Sequence, residues 1–198
     1  MVADAGAPRM TKSRMEAFSD GVIAVIITIL VLELKVPHDE SVEALAPVLP
    51  VFLSYVLSFI YVGIYWNNHH HMLLLTRTIT GPILWANMHL LFWLSVVPFA
   101  TNWLGENPLS HAPVALYGGV LIMNAVAYTI LMTMLIRHEG PESALARAMG
   151  RDLKGKVSLA LYAAAIAMAF VQPIVSLGLY VTVAAVWFIP DRRVERNI

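Results

Sequence analysis

The 198-residue chain has no cysteine and little charge. Its 13 basic and 13 acidic residues cancel, and charged residues make up 13% of the sequence, against roughly a quarter in soluble domains. Without cysteine there is no disulfide framework, no thiol nucleophile and no thiolate metal site. A net charge of zero offers no basic surface for nucleic acid. Enzyme signatures are missing as well: there is no GxSxG, no HExxH, no phosphate loop and no pair of carboxylates at helical spacing inside an apolar segment. The Thr-Val-Gly-Tyr-Gly potassium filter is absent. The two halves show no internal repeat of the kind that builds many secondary transporters.

What remains is hydrophobic. Apolar residues supply 59% of the chain and the mean hydropathy is +0.70, which marks an all-α integral membrane protein with no room for a soluble catalytic domain. Apolar runs between breakers predict helices at about 14–36, 48–72, 82–104 and 112–136, punctuated by Pro37, Gly81-Pro82 and the stretch from Pro108 to Pro113. A polar link from Arg137 to Lys156 follows. The apolar stretch Val157 to Ile189 is long for one span and short for two, and its interior Gln172-Pro173 points to a tight hairpin. The first run is too long and too charged at its start for a cleavable signal sequence, so helix one is retained.

Charge placement decides between five and six spans, because Lys and Arg concentrate on the cytoplasmic side of short loops. Six spans put Arg9, Lys12, Arg14, Arg77, Arg137, Arg147, Arg151, Lys154, Lys156, Arg192, Arg193 and Arg196 on one side, twelve of the 13 basic residues, and leave only Lys35 on the other. Five spans would send the Arg192, Arg193, Arg196 cluster across. The expected organisation is therefore a cytoplasmic N-terminal segment at 1–13, a six-helix membrane domain at 14–190 and a basic cytoplasmic tail at 191–198. Both termini are then cytoplasmic, with the last two helices short.

Helix one carries polar groups that need a reason. Asp20 opens the apolar run, and an ionised carboxylate deep in a membrane helix costs ~2.5–3.5 kcal/mol on insertion scales, so it wants a wet setting or partners. Arg14 has an ordinary explanation, since a basic residue just inside the cytoplasmic face is normal topology and Ser13 followed by Glu16 fits a capping box. Gly21, Val25, Thr28, Ile29 and Leu32 follow helical spacing and form one narrow stripe. Copies of this helix meeting at an axis would make a cation pathway, with branched side chains narrowing it, Thr28 supplying hydroxyls and Glu33 drawing cations to the outer mouth. The same stripe also suits plain helix packing.

The cytoplasmic end of helix two reads Tyr65-Trp66-Asn67-Asn68-His69-His70-His71. Consecutive residues point about 100° apart on a helix, so three adjacent histidines cannot share one ion, and none has a His or carboxylate at i+4. Hydrogen bonds from one or two of them to Asp20 or Arg14 are the better expectation, with Trp66 at headgroup level and Asn87 and His89 of helix three close by. An alternative function follows from the same groups: a proton channel or proton-coupled transporter using Asp20, Glu33 and the histidines as relays.

Arg14-x-x-x-Phe18-Ser19-Asp20, with Thr28 and the exit from Leu32 to Pro37, resembles the signature of the transmembrane protein 175 family, the lysosomal potassium channels and their prokaryotic relatives. Phe59, Trp66 and His69-His70 are similar to its second-helix pattern, and Asn87 and Pro98-Phe99 to its third. The resemblance covers the first half of the chain by motif and the rest by number and length of helices. It implies six transmembrane helices without a reentrant pore loop, a pore lined by helix one, and, for a single six-helix unit, a prokaryotic homotetramer in the plasma membrane. Animal members carry two such units. Carried over by position, the pore constriction and selectivity residues are Val25, Thr28, Ile29 and Leu32. Arg14, Ser19, Asp20, Trp66, His69, His70 and Asn87 become a polar network that holds helix one. The family more often has Ile or Leu where this chain has Val25. The expected partners are other copies of the chain, membrane lipid and monovalent cations; potassium is the permeating ion, and no cofactor or metal is implied.

Overall fold

The computed structural model describes residues 11–149 and 152–188, and every regular element among them is helical. Arg9, Arg151, Arg192, Arg193 and Arg196, the basic tail and most of the N-terminal segment lie outside the described residues. In chain order the elements are α1 (Lys12–Leu32), a short 3-10 turn (Val42–Val48), α2 (Leu49–Leu74), α3 (Gly81–Glu106), α4 (His111–Glu139), α5 (Ala144–Met149), α6 (Leu153–Ala169) and α7 (Pro173–Phe188).

Several boundaries depart from expectation for local reasons. The first helix begins at Thr11, whose hydroxyl accepts from the Arg14 amide at 3.4 Å, so Thr11 is the cap and not Ser13. It ends at Leu32, four residues short of Val36, with Glu33 as its C-cap. Pro50 opens α2 in its first turn, where a missing amide costs nothing, and Pro47 confines the preceding segment to a 3-10 turn. The polar link after Arg137 contains a short helix, α5, which buries Leu145 and Ala148. The stretch after Lys156 is two helices with a turn at 170–172, and Pro173 starts the second.

Polar ties fix which ends of the helices meet. At one end the Lys12 ammonium donates to the Leu74 carbonyl at 3.3 Å, and the Arg77 amide donates to Glu139 at 2.8 Å. At the other end Lys35 pairs with Glu106 at 2.8 Å, and His111 Nδ1 lies 2.7 Å from the Ala169 carbonyl. The Lys35 ammonium is raised above its usual range by its hydrogen bond to Glu106. Lys12, Arg14, Arg77, Arg137, Arg147, Lys154 and Lys156 gather at the first end and Lys35 sits at the second, so the long helices alternate in direction.

Helices α1, the segment Val42–Leu74, α3 and α4 are long and apolar enough to cross a membrane, whereas α7 is apolar but has 16 residues. At 1.5 Å per residue α7 reaches ~24 Å, against ~30 Å of hydrocarbon. Large apolar side chains such as Trp85, Phe92, Phe99, Phe170 and Phe188 stand exposed around the outside, which suits lipid and not water.

The centre of the bundle lies between α2, α3, α4, α6 and α7, around Leu90, Leu94, Tyr117, Leu121, Ala165 and Tyr180. Helix α1 packs against α2 and α3 at its edge. Buried hydroxyls in the centre are all satisfied: Thr101 donates to Ser58 at 2.7 Å, Ser58 and Tyr117 share a bond of 2.9 Å, Tyr61 donates to the Tyr180 carbonyl at 2.6 Å, and Tyr180 donates to the Val114 carbonyl at 3.1 Å. Gly118 makes this packing possible, because a methyl group there would strike the Tyr180 hydroxyl and lie 2.8 Å from Ile166. Overpacking a tight core costs roughly 1–3 kcal/mol. The variant Gly118→Ala is expected to lower the thermal unfolding midpoint of the detergent-solubilised protein, while Gly119→Ala, whose added carbon meets nothing within 4 Å, is expected to leave it unchanged.

Candidate functional site

The polar residues of α1 and the start of the family-like motif converge where α1, α2 and α3 meet. Ser19 faces inward and is fully buried, as are His69 of α2 and Asn87 of α3. The Asn87 amide nitrogen donates to Ser19 Oγ at 2.9 Å, and Ser19 passes its own hydrogen to the Met15 carbonyl at 2.8 Å. That leaves Asn87 Oδ1 as an acceptor, 2.8 Å from His69 Nε2. The ring must therefore be protonated on Nε2, and its Nδ1, buried, has no hydrogen-bond partner among the described residues.

Asp20 is tied separately. Its Oδ1 accepts from the Trp66 indole at 3.0 Å, and Trp66 stacks on His70 with ring centres 6.0 Å apart and planes 18° from parallel. His70 Nδ1 lies 3.4 Å from Glu16 Oε1. Glu16 was expected to close a capping box with Ser13, but it faces α2. The structure thus brings Ser19, Asp20, Trp66, His69, His70 and Asn87 together and adds Glu16. It leaves Arg14 exposed and outside these bonds, and it places His89 elsewhere, accepting from Trp93 of its own helix at 3.0 Å. The signal that could have found Glu16 is its spacing, since it lies four residues before Asp20 on a neighbouring part of the same face.

Interhelical hydrogen bonds in membranes average only ~0.6 kcal/mol each, so these ties contribute modestly to cohesion. Their larger effect is on orientation. Rotating α1 would strand the buried Ser19 and Asn87, at about 1–3 kcal/mol for each unsatisfied group.

With α1 held in this way, Met15, Ser19, Ile23, Ile26 and Leu30 form its buried stripe. Ile23, Ile26 and Leu30 are 1%, 3% and 1% exposed, whereas Val25, Ile29 and Leu32 are 55%, 39% and 78% exposed. At about 100° per residue, Thr28 lies about 180° around the helix from Ser19. Its hydroxyl donates to the Val25 carbonyl at 2.8 Å, which turns the oxygen lone pairs away from the helix backbone. Glu33 is partly exposed at the end of the helix, beside Lys35 and its ion pair with Glu106. The three adjacent histidines diverge: His69 turns to Asn87, His70 to Glu16, and His71 lies on a third face. No group of three His, Cys, Asp or Glu suited to a metal occurs among the described residues.

Comparison with known proteins gives this arrangement a context. The profile of the family described as the endosomal/lysosomal potassium channel TMEM175 matches residues 14–98, the stretch holding α1, α2 and most of α3. A potassium channel of Chryseobacterium sp. (strain P1-3) is 53% identical over 189 residues, covering 96% of this chain and 98% of its own. The endosomal/lysosomal proton channel TMEM175 of Bos taurus is 36% identical over 103 residues, 46% of this chain and 22% of its own. The crystal structure of a lysosomal potassium-selective channel TMEM175 homolog from Chamaesiphon minutus superposes with a TM-score of 0.77 at 30% identity, covering 90% of this chain and 96% of its own. The chain is a multi-pass membrane protein and belongs to the TMEM175 family of potassium channels, not to an enzyme family.

Proposed function

We propose that the chain is a potassium-permeable cation channel that assembles as a homotetramer in a prokaryotic plasma membrane, with four copies of α1 lining the pore. The single-repeat unit comprises six transmembrane helices at 14–190, α1, α2, α3, α4, α6 and α7, with no reentrant loop and both termini cytoplasmic. Short α6 and α7 cross with help from the turn between them and from local bilayer thinning. One observation carries the reading: the polar ties to α2 and α3 turn the stripe Val25, Thr28, Ile29 and Leu32 outward from its own chain, where only lipid or another copy can meet it.

Lipid alone is a poor match for that stripe. It contains Thr28, and its cytoplasmic continuation holds the exposed Arg14. Around an axis the same residues have roles. Val25, Ile29 and Leu32 form a narrow hydrophobic constriction that gates by excluding water, and Thr28 supplies oxygen lone pairs at one level. Partial dehydration there favours the more weakly hydrated potassium over sodium, but only modestly, because strong selection needs several ordered oxygen ligands. Glu33 raises the local cation concentration at the outer mouth. Ser19, Asp20, Trp66, His69, His70 and Asn87 hold α1 at the correct rotation and touch no ion, whereas Arg14, exposed and outside these bonds, takes no part in that network.

Purified protein in a planar bilayer, with potassium on one side and sodium on the other, is expected to reverse toward the potassium potential and to do so equally at two pH values. Ile29→Asn and Leu32→Asn are each expected to raise conductance and reduce the potassium preference several-fold. Unchanged currents in both variants would remove α1 from the pathway.

A second reading is favoured by two observations. The vertebrate relatives are named proton channels, and His69 Nδ1 presents a buried lone pair with no hydrogen-bond partner among the described residues. On this reading Asp20, Glu33 and the helix-two histidines relay protons. Asp20→Asn would then abolish proton flux into dye-loaded liposomes without changing the assembled size on a sizing column. If potassium permeation is the function, the same variant alters gating or assembly, and reversal continues to follow potassium.

A further inference from the structure

Away from α1 the bundle holds a cleft between α2, α4, α6 and α7, and neither α1 nor α3 contributes to its lining. Its walls are aromatic: Tyr61 and Tyr65 from α2, Tyr128 from α4, Tyr162 from α6 and Trp187 from α7, with Asp152 among the lining residues where α6 begins. Tyr65 and Tyr128 meet edge to face with ring centres 6.1 Å apart, and Tyr61 and Tyr162 lie 6.4 Å apart at 51°. The Trp187 indole donates to Ser158 Oγ at 2.7 Å, which locks its ring in the wall.

Asp152 is built into this cleft. Its backbone is left-handed, with φ 42, and its Oδ1 accepts from the Gly155 amide at 3.1 Å. Gly155 has no side chain, and any there would strike the carboxylate. Partial burial pushes the Asp152 carboxyl up, while the Gly155 amide and Lys156 pull it down. Lys156 is exposed and makes no ion pair with Asp152 within 4 Å among the described residues.

We propose that this cleft binds a small organic ammonium ion, with its charge at the Asp152 carboxylate and its carbon shell against Tyr65, Tyr128, Tyr162 and Trp187. Aromatic faces attract a cation through their quadrupole, by about 0.5–1 kcal/mol at exposed sites and about 2 or more when desolvated. A bare divalent metal ion is a poor fit, because Asp152 is the one carboxylate among the described lining residues and no group of three His, Cys, Asp or Glu suited to a metal occurs among the described residues. An anion finds no basic side chain among the described lining residues. A neutral apolar guest would cover the carboxylate without pairing it. Ammonium ions of this class come either as free amines or as lipid headgroups.

Titrating the full-length protein in detergent with choline, followed by saturation-transfer NMR, tests the proposal. Choline is expected to saturate, and its uncharged isostere 3,3-dimethylbutan-1-ol to bind about ten-fold more weakly. Asp152→Asn keeps a good helix cap and a residue tolerant of the left-handed backbone, so it removes the charge alone. It is expected to weaken choline about ten-fold at an unchanged unfolding midpoint. Tyr65→Leu, which removes one aromatic face and leaves the cap intact, is expected to weaken choline as well. Failure of choline to saturate, equal binding of the isostere, or choline affinity unaffected by both variants would overturn the proposal. Repeating the titration in nanodiscs separates the sources: loss of choline binding in phosphatidylcholine but not in phosphatidylglycerol assigns the occupant to a lipid headgroup, and retention in both assigns it to a soluble ammonium ion.

Discussion

The structure depends on how one amphipathic problem is solved: α1 has polar residues on one side and an apolar stripe on another, and hydrogen bonds to its neighbours choose its rotation. Asn87 is central, because it donates to Ser19 and accepts from His69 and so links three helices through one side chain. Asp20 and Trp66 add a second tie nearer the surface. Apolar packing alone is indifferent to rotation in lipid, since lipid tails are as apolar as Leu. Buried amide and hydroxyl groups are not indifferent, because each has few partners within reach.

The other helices form the frame that holds this tie. Ser58, Thr101 and Tyr117 join α2, α3 and α4 through shared hydroxyl hydrogens, and Tyr61 and Tyr180 join α2, α7 and α4 through backbone carbonyls. Helices α2 and α3 therefore present His69 and Asn87 from a rigid platform. The aromatic cleft lies on the other side of that platform, and its walls include Tyr65, the residue just before Trp66. The pore proposed for α1 and the ammonium site proposed between α2, α4, α6 and α7 thus share α2 but no side chain.

Much of this was legible in the sequence because membrane helices write themselves in long apolar runs bounded by Pro, Gly and charge. The four long helices and the turn near Gln172-Pro173 follow from that alone. So does the outward stripe, since helical spacing groups Val25, Thr28, Ile29 and Leu32 whatever they face. Boundaries were less legible: α1 stops at Leu32, ahead of Pro37, whose ring disfavours helix in the residues just before it without fixing how many of them leave the helix. Helix α5 is six residues in a polar link, and its two buried apolar residues are too few to show a period. In the polar cluster, Ser19, Asp20 and Asn87 stood out as polar groups in apolar helices. Glu16 was hidden by an equally good local use as a capping partner, and His89 was misplaced because its bond to Trp93 is internal to α3.

The central claim is that the stripe opposite Ser19 faces the conduction path. The chain has no cysteine, so single cysteines can be placed along α1 in the natural background and probed with a water-soluble thiol reagent during bilayer recording. The account predicts that modification blocks current at positions 25, 28, 29 and 32 and has no effect at Ile23 or Leu30, which lie on the buried side of the helix. Block that ignores helical periodicity, or that falls on the opposite positions while the stripe stays inert, would contradict it.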